Sequence, residues 1–406
     1  MLRNFAIGAL ASLFILGVSS EAIAAKKNSP EINEYLKNAE KQREEEAKKA
    51  KQQRKADPHR KLRPYDTLEE IYAHLDKVVA ENPDMFSGGT YGKSVEGRDL
   101  RYLKMSTGDG DKPEILITGN IHAQELAGGQ MVIALIDYFA EECEDSLDCQ
   151  RRAENADIYF IPVMNPDGMA KTARIQSKWG ITGFIRKNTG GVDLNRNFPY
   201  PAEAPDKIKD SAGSPKKRSQ THRGPEPLSE PEAKNFIKFV DQHDFILSIN
   251  YHTSGGLILY SPGTYPDPEP DTELMKELGK AYQEEQFDPY DVRPGIELYP
   301  TIGALDDYLY HHYGILSFTI EVGKDNQDHS MKINSGTWSP IFWMYNVDEL
   351  EREKANNVPG ALAMVDEAIQ LYRDPARIKW EPPDVLWVDE PPLSGDSLSV
   401  NCPCNR

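Results

Sequence analysis

The fold is decided by residues 114–125, which read EILITGNIHAQE. The first half is a short apolar run, typical of a buried strand, and a helical pattern follows from about Ala127. In the turn between them, His122 and Glu125 lie three residues apart and can point at one metal ion. A histidine at the end of another strand would complete a two-histidine, one-carboxylate site with an open position, the pattern of a catalytic zinc. HxxE alone arises often by chance, so the other motifs must support this interpretation.

Apolar strands alternate with amphipathic helices along the rest of the chain. Buried strands are predicted at about 157–164, 245–251 and 314–322, and helices at about 230–241 and 271–286. This alternation predicts a single α/β domain with a central mixed, mostly parallel twisted sheet that helices cover on both faces. Every motif with chemical side chains lies at or just beyond a strand end, which is where open α/β sheets bind ligands.

Five further motifs follow in an order that matches one family. They are IRKN at 185–188, GVDLNRNF at 191–198, INYHT at 249–253, ELYPTIG at 297–303 and LSFTIE at 316–321. Together with the HAQE motif they resemble the zinc metallocarboxypeptidases of the carboxypeptidase A, B and T type. The resemblance extends from about residue 65 to about residue 373. It implies a zinc-dependent peptidase that hydrolyses the C-terminal residue of peptides with a free C-terminus.

The same resemblance implies a metal site with one Zn²⁺ per chain, bound by His122, Glu125 and His252. It makes Asp193 the acceptor of a hydrogen bond from the His122 imidazole, since a zinc-bound histidine usually needs a partner on its other nitrogen. Glu321, at the end of a predicted strand, becomes the general base. In that role it accepts a proton from the attacking water and passes it to the leaving amine.

Four residues are implied to bind the substrate. Arg186 faces the scissile carbonyl and stabilises the developing oxyanion. Asn195 and Arg196 hold the free α-carboxylate, because a guanidinium can donate two parallel hydrogen bonds to a carboxylate. Tyr299 closes over the bound substrate. These assignments describe an exopeptidase that recognises a C-terminus.

Substrate choice depends on one acidic residue. Relative to Glu321, Asp306 stands where the B-type enzymes carry the aspartate at the base of their specificity pocket. It therefore predicts a preference for C-terminal Lys or Arg. Because Asp307 adjoins it, one of the two aspartates could be structural instead. Broad, T-like specificity and a cell-wall peptide ending in diaminopimelate are the alternatives.

Two other functional classes compete with an active peptidase. The first is an inactive binding protein that keeps the fold, but such relatives lose the ligands or the base, and both are present here. The second is an N-acyl amino-acid deacylase, which shares the ligand pattern. Those enzymes lack the context of Asn195, Arg196 and Tyr299. An active carboxypeptidase is therefore the preferred interpretation.

Residues 1–25 predict a secretory signal peptide. Arg3 precedes an apolar run that ends at Val18, and small residues at 22–25 provide a cleavage site. The run is too short to span a membrane, and no second run of sufficient length occurs in the sequence. The mature protein is expected to be secreted or periplasmic.

Three segments follow the signal peptide. Residues 26–63 carry charges of both signs and few apolar side chains, which predicts a charged, solvated leader or a short pro-segment. The catalytic domain is predicted over 64–375. A Pro-rich tail with a Cys-x-Cys motif follows over 376–406. The formal net charge of −18 argues against nucleic-acid binding, and we expect a monomer.

The four cysteines are expected to form disulfides in an oxidising compartment. They are Cys143, Cys149, Cys402 and Cys404, which allow three pairings. A bridge within the Cys-x-Cys motif would be strained. This favours a link between the tail and the loop that carries Cys143, whereas the spacing does not suit a zinc site.

Overall fold

The computed structural model describes residues 57–180, 182–202, 212–264, 267–324 and 340–381. The predicted signal peptide, most of the charged leader and nearly all of the Pro-rich tail lie outside these ranges. The compact unit that contains the sheet begins at Lys61, and Leu62 is fully buried in its core. In the described part of the chain, no helix is long and apolar enough to cross a bilayer.

The described residues form one eight-stranded sheet with the order β1-β2-β4-β3-β5-β8-β6-β7. The four central strands, β4, β3, β5 and β8, are parallel to one another, and antiparallel pairs join β2 to β4, β1 to β2 and β6 to β8. The predicted mixed, mostly parallel sheet is therefore confirmed. In chain order the strands are β1 (Phe86–Lys93), β2 (Asp99–Met105), β3 (Glu114–Gly119), β4 (Asp157–Ile161), β5 (Phe245–Thr253), β6 (Leu257–Tyr260), β7 (Asp291–Pro294) and β8 (Leu316–Val322).

Helices cover both faces of this sheet, as predicted. Alternate side chains of a strand point to opposite faces. Ile115 and Ile117 of β3 join one apolar core, whereas Leu116 joins the other. The helices are α1 (Leu68–Glu81), α2 (Leu126–Glu142), α3 (Leu147–Asn155), α4 (Pro166–Trp179), α5 (Pro231–Val240), α6 (Thr272–Glu284), α7 (Leu305–Tyr313), α8 (Pro340–Tyr345) and α9 (Leu350–Arg373), with 3₁₀ turns at Leu194–Arg196, Gly295–Glu297 and Pro375–Arg377.

The last helix contains a proline in its interior. Proline lacks an N–H group and usually ends or starts a helix. In this protein α9 begins at Leu350 and continues through Pro359. Buried polar contacts stabilise the turns before Pro359: Asn357 accepts from the Tyr282 hydroxyl of α6 over 2.9 Å, and within α9 it donates to the Glu353 carbonyl over 2.8 Å.

Helix α2 packs directly on the sheet because glycines leave no side chain between them. A Cβ atom on Gly128 would lie 2.5 Å from the carbonyl oxygen of Tyr251 in β5. A Cβ atom on Gly119 would lie 2.7 Å from the carbonyl oxygen of Gly128. Such distances exclude any side chain at these positions unless the backbone moves. The helix is thereby held close to both β3 and β5.

Cys143 and Cys149 form a disulfide with each other, so the expected link from this loop to the tail is wrong. The reason is local geometry. Helix α2 ends just before Cys143, and α3 begins just before Cys149, so the intervening turn brings the two residues together. Their Cα atoms are 4.9 Å apart, within the range that a disulfide spans. Cys402 and Cys404 lie outside the described residues.

Replacing Cys143 and Cys149 together by alanine is expected to lower the free energy of unfolding by about 2 kcal/mol, because the short loop loses its cross-link in the unfolded chain. Urea unfolding of the oxidised wild type and the double variant measures the difference. Reduced wild-type protein serves as the control and should unfold with the variant. Equal stability of oxidised and reduced wild type would contradict the expectation.

Candidate active site

The first two candidate ligands lie in the turn between β3 and α2. Asn120 adopts a left-handed conformation (φ 53°) directly after β3, and its side-chain amide donates to the His122 carbonyl over 3.1 Å. The Glu125 N–H donates to the same carbonyl over 3.1 Å. Asparagine tolerates this backbone conformation better than most residues. The tight turn therefore places the His122 and Glu125 side chains on the same side, at the end of the strand.

Strand pairing supplies the third candidate ligand and the candidate base. β5 and β8 are parallel, and His252 is the register partner of Glu321. β3 and β5 are also parallel, with Gly119 opposite Tyr251. Because parallel strands in register end at the same edge of a sheet, the turn after Gly119, His252 and Glu321 all meet there.

The three candidate ligands converge on one point. The Nδ1 atoms of His122 and His252 are 3.1 Å apart, and Oε2 of Glu125 lies 3.0 Å and 3.1 Å from them. All three side chains are 3% exposed. Tetrahedral ligands about 2 Å from a zinc ion lie roughly 3.3 Å from one another, so these atoms fit such an ion. Within the described ranges, no other group of three His, Cys, Asp or Glu residues meets this geometry.

Electrostatics keep these side chains in the forms that bind metal. Burial lowers the pKa of the His252 imidazole, which favours the neutral ring. Burial alone would raise the pKa of Glu125, but His122 and His252 outweigh it and hold that pKa well below its usual range. A neutral imidazole and an ionised carboxylate are the species that coordinate zinc.

A second row of charges lies behind the metal ligands. Asp193 is fully buried; its Oδ1 lies 3.2 Å from Nε2 of His122, and its Oδ2 accepts from Nε of Arg186 over 2.7 Å. Burial would raise the pKa of Asp193, but Arg186 and His122 outweigh it and hold the pKa far below its usual range. Asp193 is therefore an anion within hydrogen-bonding reach of the far side of the His122 ring, where it can fix the tautomer.

The predicted site residues surround one cleft with about 520 Å³ of empty space, counting its mouth. Two of the ten, Glu125 and Asp193, do not line the cleft; Glu125 lies at Nδ1 of the His122 ring and Asp193 at Nε2. The other eight line the cleft: His122, Arg186, Asn195, Arg196, His252, Tyr299, Asp306 and Glu321.

The 3₁₀ turn Leu194–Arg196 forms one wall of this cleft. The Arg196 guanidinium is fixed from behind, because Nε donates to the Ala212 carbonyl over 2.6 Å and Nη1 to the Asn195 carbonyl over 2.5 Å. The Asn195 side-chain oxygen accepts from the Leu305 N–H over 2.8 Å. By contrast, the Tyr299 side chain is 47% exposed, and its ring centre lies 6.0 Å from the Arg196 guanidinium. A fixed cationic wall thus faces an exposed aromatic ring.

Glu321 lies between two other carboxylates. Burial and the charge of Glu125 raise its pKa well above the ordinary value, Asp306 adds to this effect, and Arg186 opposes it. A carboxyl group with a raised pKa is a better proton acceptor when ionised than an exposed one. A bound cation at the ligand cluster adds positive charge nearby and favours the ionised form.

A sequence model of the zinc carboxypeptidases matches residues 71–342, more than half of the chain. The chain belongs to the zinc carboxypeptidase family. Members of this family use Zn²⁺, and the His122, Glu125 and His252 cluster suits that ion.

Relatives and solved structures agree with this family. The chain is 31% identical over 267 residues to carboxypeptidase A2 of Rattus norvegicus, and 30% identical over 269 residues to carboxypeptidase A1 of Homo sapiens. Each alignment covers 64% of this chain and 62% of the relative, so the chain spans about three fifths of these relatives' length. A structure of bovine thrombin-activatable fibrinolysis inhibitor matches with a TM-score of 0.62 and 23% identity, covering 75% of this chain and 98% of that one. The last similarity shows the shared fold.

Sequence reasoning missed a set of polar side chains beneath the cleft. Asn250 from β5 and both Ser317 and Thr319 from β8 contact Asp306, and we call these three residues the polar floor. Polar residues alternate with apolar ones in both buried strands, as in Ser317-Phe318-Thr319. That alternation was a signal for one polar face on a buried strand. The polar floor gives Asp306 hydrogen-bond donors from two neighbouring strands.

His252→Ala is expected to remove the metal from this protein, because two remaining ligands hold zinc far more weakly than three. Zinc content measured by atomic emission should fall from about one per chain to near zero. His74→Ala is the matched control, since His74 pairs with Asp137 over 2.7 Å and does not line the cleft. Full zinc occupancy in the His252 variant would show that the ligand set is different.

Proposed function

We propose that this protein is an exported, zinc-dependent carboxypeptidase that removes the C-terminal residue of peptides. One observation carries the proposal: the metal-ligand cluster and the fixed Arg196 guanidinium open into the same cleft. A cation-binding point beside an anchored carboxylate receptor suits a peptide whose last bond lies next to its free carboxylate. Membership of the zinc carboxypeptidase family supports the same activity.

Each group around the candidate metal site has one role in the proposed reaction. Zinc, when bound, polarises the scissile carbonyl and makes a water molecule more acidic. Glu321 accepts the proton of the attacking water and delivers it to the nitrogen of the leaving amino acid. Arg186, held by Asp193, donates to the oxygen on which negative charge develops. Asp193 holds the His122 ring in one orientation.

Recognition of the substrate C-terminus is assigned to the cleft wall that the 3₁₀ turn Leu194–Arg196 forms. Arg196 binds the free α-carboxylate, and Asn195 donates from its side-chain amide nitrogen, because its oxygen is already occupied by the Leu305 N–H. Tyr299, which is half exposed in this structure, covers the substrate and excludes water. Internal peptide bonds are poor substrates in this proposal, because the next carbonyl along the peptide carries no charge to pair with the fixed Arg196 guanidinium.

Glu321→Gln is expected to lower kcat by about 100-fold or more while zinc content and folding stay unchanged, because glutamine cannot accept the proton. Hydrolysis of a peptide with a free C-terminus and metal content are measured together. Glu284→Gln, at an exposed position outside the cleft, is the control. A Glu321 variant that kept more than roughly a tenth of wild-type turnover would exclude the general-base role.

The preference for a basic C-terminal residue rests on Asp306. This carboxylate lies in the cleft wall together with Glu321 and Tyr299. Asp307 also lines the cleft, but its carboxylate is bound to the loop at residues 261–264, where it accepts from the Gly263 N–H over 2.8 Å and from the Ser261 hydroxyl over 3.0 Å. Asp306 is therefore the aspartate assigned to the substrate side chain, and Asp307 the one assigned to the loop.

Asp306→Ala is expected to reduce kcat/KM for a peptide ending in Lys by about 30-fold or more, since removing one partner of a desolvated charge pair costs about 2–5 kcal/mol. The same variant should leave a peptide ending in Leu nearly unchanged. Equal losses on both peptides would mean that Asp306 supports the loop and not the ligand.

The same preference should depend on pH in wild type. Burial raises the pKa of Asp306 to about 6 in the free protein, although the polar floor opposes the shift. Above that pH the carboxylate is ionised and attracts the substrate cation, and below it the attraction is lost. The ratio of kcat/KM for the Lys peptide to that for the Leu peptide should therefore rise through pH 6. Taking the ratio cancels the titration of Glu321, which both substrates share.

The alternative substrate, a cell-wall peptide ending in diaminopimelate, would place a second negative charge in the cleft. A C-terminal diaminopimelate carries a carboxylate beside its side-chain amine. That carboxylate would approach the Asp306 carboxylate, and like charges in a buried site repel. A peptide ending in Lys is therefore the preferred substrate in this proposal, and faster cleavage of a diaminopimelate peptide would favour the alternative.

A further inference from the structure

The carboxylate of Asp306 is already partly occupied by the protein. Asn250 Nδ2 and the Ser317 hydroxyl both donate to Oδ1, the latter over 3.1 Å. The Thr319 hydroxyl donates to Oδ2. Three fixed donors thus point at one carboxylate, two on one oxygen and one on the other.

The orientation of the Asn250 amide is determined by its other neighbours. Its oxygen accepts from the Thr118 hydroxyl over 2.7 Å and from the Ser248 hydroxyl over 3.2 Å. With its oxygen occupied on that side, the amide nitrogen must face Asp306 and Ser317. Asn250 is 2% exposed, so no solvent contact competes with this arrangement. The donor on Oδ1 is therefore a fixed part of the site.

The two carboxylate oxygens of Asp306 differ in the number of acceptor positions that they leave for a ligand. A carboxylate oxygen offers about two acceptor positions. Oδ1 has both positions filled by Asn250 and Ser317, neither of which lines the cleft. Oδ2 has one position filled by Thr319, which does line the cleft. One acceptor position, on Oδ2, remains, and because Asp306 itself lines the cleft we assign this position to the substrate.

We propose that this cleft selects a C-terminal residue whose side chain ends in a single ammonium group, such as lysine, over one that ends in a guanidinium. The inference rests on the proposed carboxypeptidase function and on Asp306 as the specificity residue. It narrows the substrate class from basic residues in general to residues with a primary amine.

Ammonium and guanidinium groups differ in what they need from a carboxylate. An ammonium is a compact point charge that can use one acceptor position and direct its other N–H groups elsewhere. A guanidinium gains most when two parallel N–H groups each reach one carboxylate oxygen. Since Oδ1 is filled, arginine can form only one of these two bonds at Asp306. It loses one charge-assisted hydrogen bond and leaves an N–H group of its fork without a carboxylate acceptor.

The first test compares peptides that are identical except for a C-terminal Lys, Arg or Leu. The holoenzyme is expected to cleave the Lys peptide with a kcat/KM about 10-fold above that for the Arg peptide, the effect of one lost charge-assisted hydrogen bond. Arg equal to or better than Lys, with both above Leu, would overturn this inference and leave the proposed function intact. Both basic peptides no better than Leu would overturn the inference together with the basic preference. Failure to cleave all three would overturn the carboxypeptidase function itself.

A matched pair of variants tests the mechanism of selection. Ser317→Ala removes one donor from Oδ1, so the Asp306 carboxylate can turn and present a free acceptor position of Oδ1 to the second guanidinium N–H. The Arg-to-Lys ratio of kcat/KM should then rise about fivefold or more. Ser248→Ala removes a buried hydroxyl that contacts Asn250 but not Asp306. Thr118 still donates to the Asn250 oxygen over 2.7 Å and keeps the amide in place, so the ratio should stay at the wild-type value. A ratio that stays constant in the Ser317 variant, or that shifts equally in both, would contradict the proposal.

Discussion

The parallel pairing of β3, β5 and β8 is the constraint on which the rest of the site depends. His252 lies opposite Glu321, and Gly119, just before the His122 turn, lies opposite Tyr251. Side chains alternate between the faces of a strand, so a slip of β8 by one residue would turn Glu321 to the other face. It would also turn Ser317 and Thr319, the two residues of the polar floor that belong to β8, away from Asp306. Strand register thus brings together the candidate metal ligands, the candidate base and the strand residues that contact Asp306.

Much of this arrangement could be predicted from the sequence, because the motifs are short and lie at strand ends. The apolar runs before His122 and His252 predicted buried strands of an α/β sheet. The spacing of His122 and Glu125 in the HAQE motif then placed a metal site at the end of these strands. Features that depend on how separate elements pack against one another could not be predicted in this way. The pairing of Cys143 with Cys149 depends on how two helices meet, and the helix through Pro359 depends on buried contacts of its first turns. The polar floor was missed because polar residues in apolar strands are often core residues with satisfied hydrogen bonds.

Charges alternate through the buried part of the site. Glu125 lies 3.8 Å from the Arg186 guanidinium, which binds Asp193, which in turn lies 3.2 Å from the His122 ring. Desolvating each of these groups alone is unfavourable, and removing one partner leaves another charge uncompensated. The row is therefore expected to behave as one unit, so that the electrostatic field at the candidate metal site depends on all of its members.

Gly128 has no functional side chain, yet the geometry of the candidate metal site depends on it. The carbonyl 2.5 Å from its missing Cβ belongs to Tyr251, the neighbour of His252, and the helix that contains Gly128 begins next to Glu125. Any larger residue would push the helix from the strand and separate the carboxylate from the imidazole. A survey of mutational tolerance would thus place Gly128 among the least replaceable positions, although it contacts neither metal nor peptide. Over evolutionary time, selection for activity would act on this position through the spacing of the backbone alone.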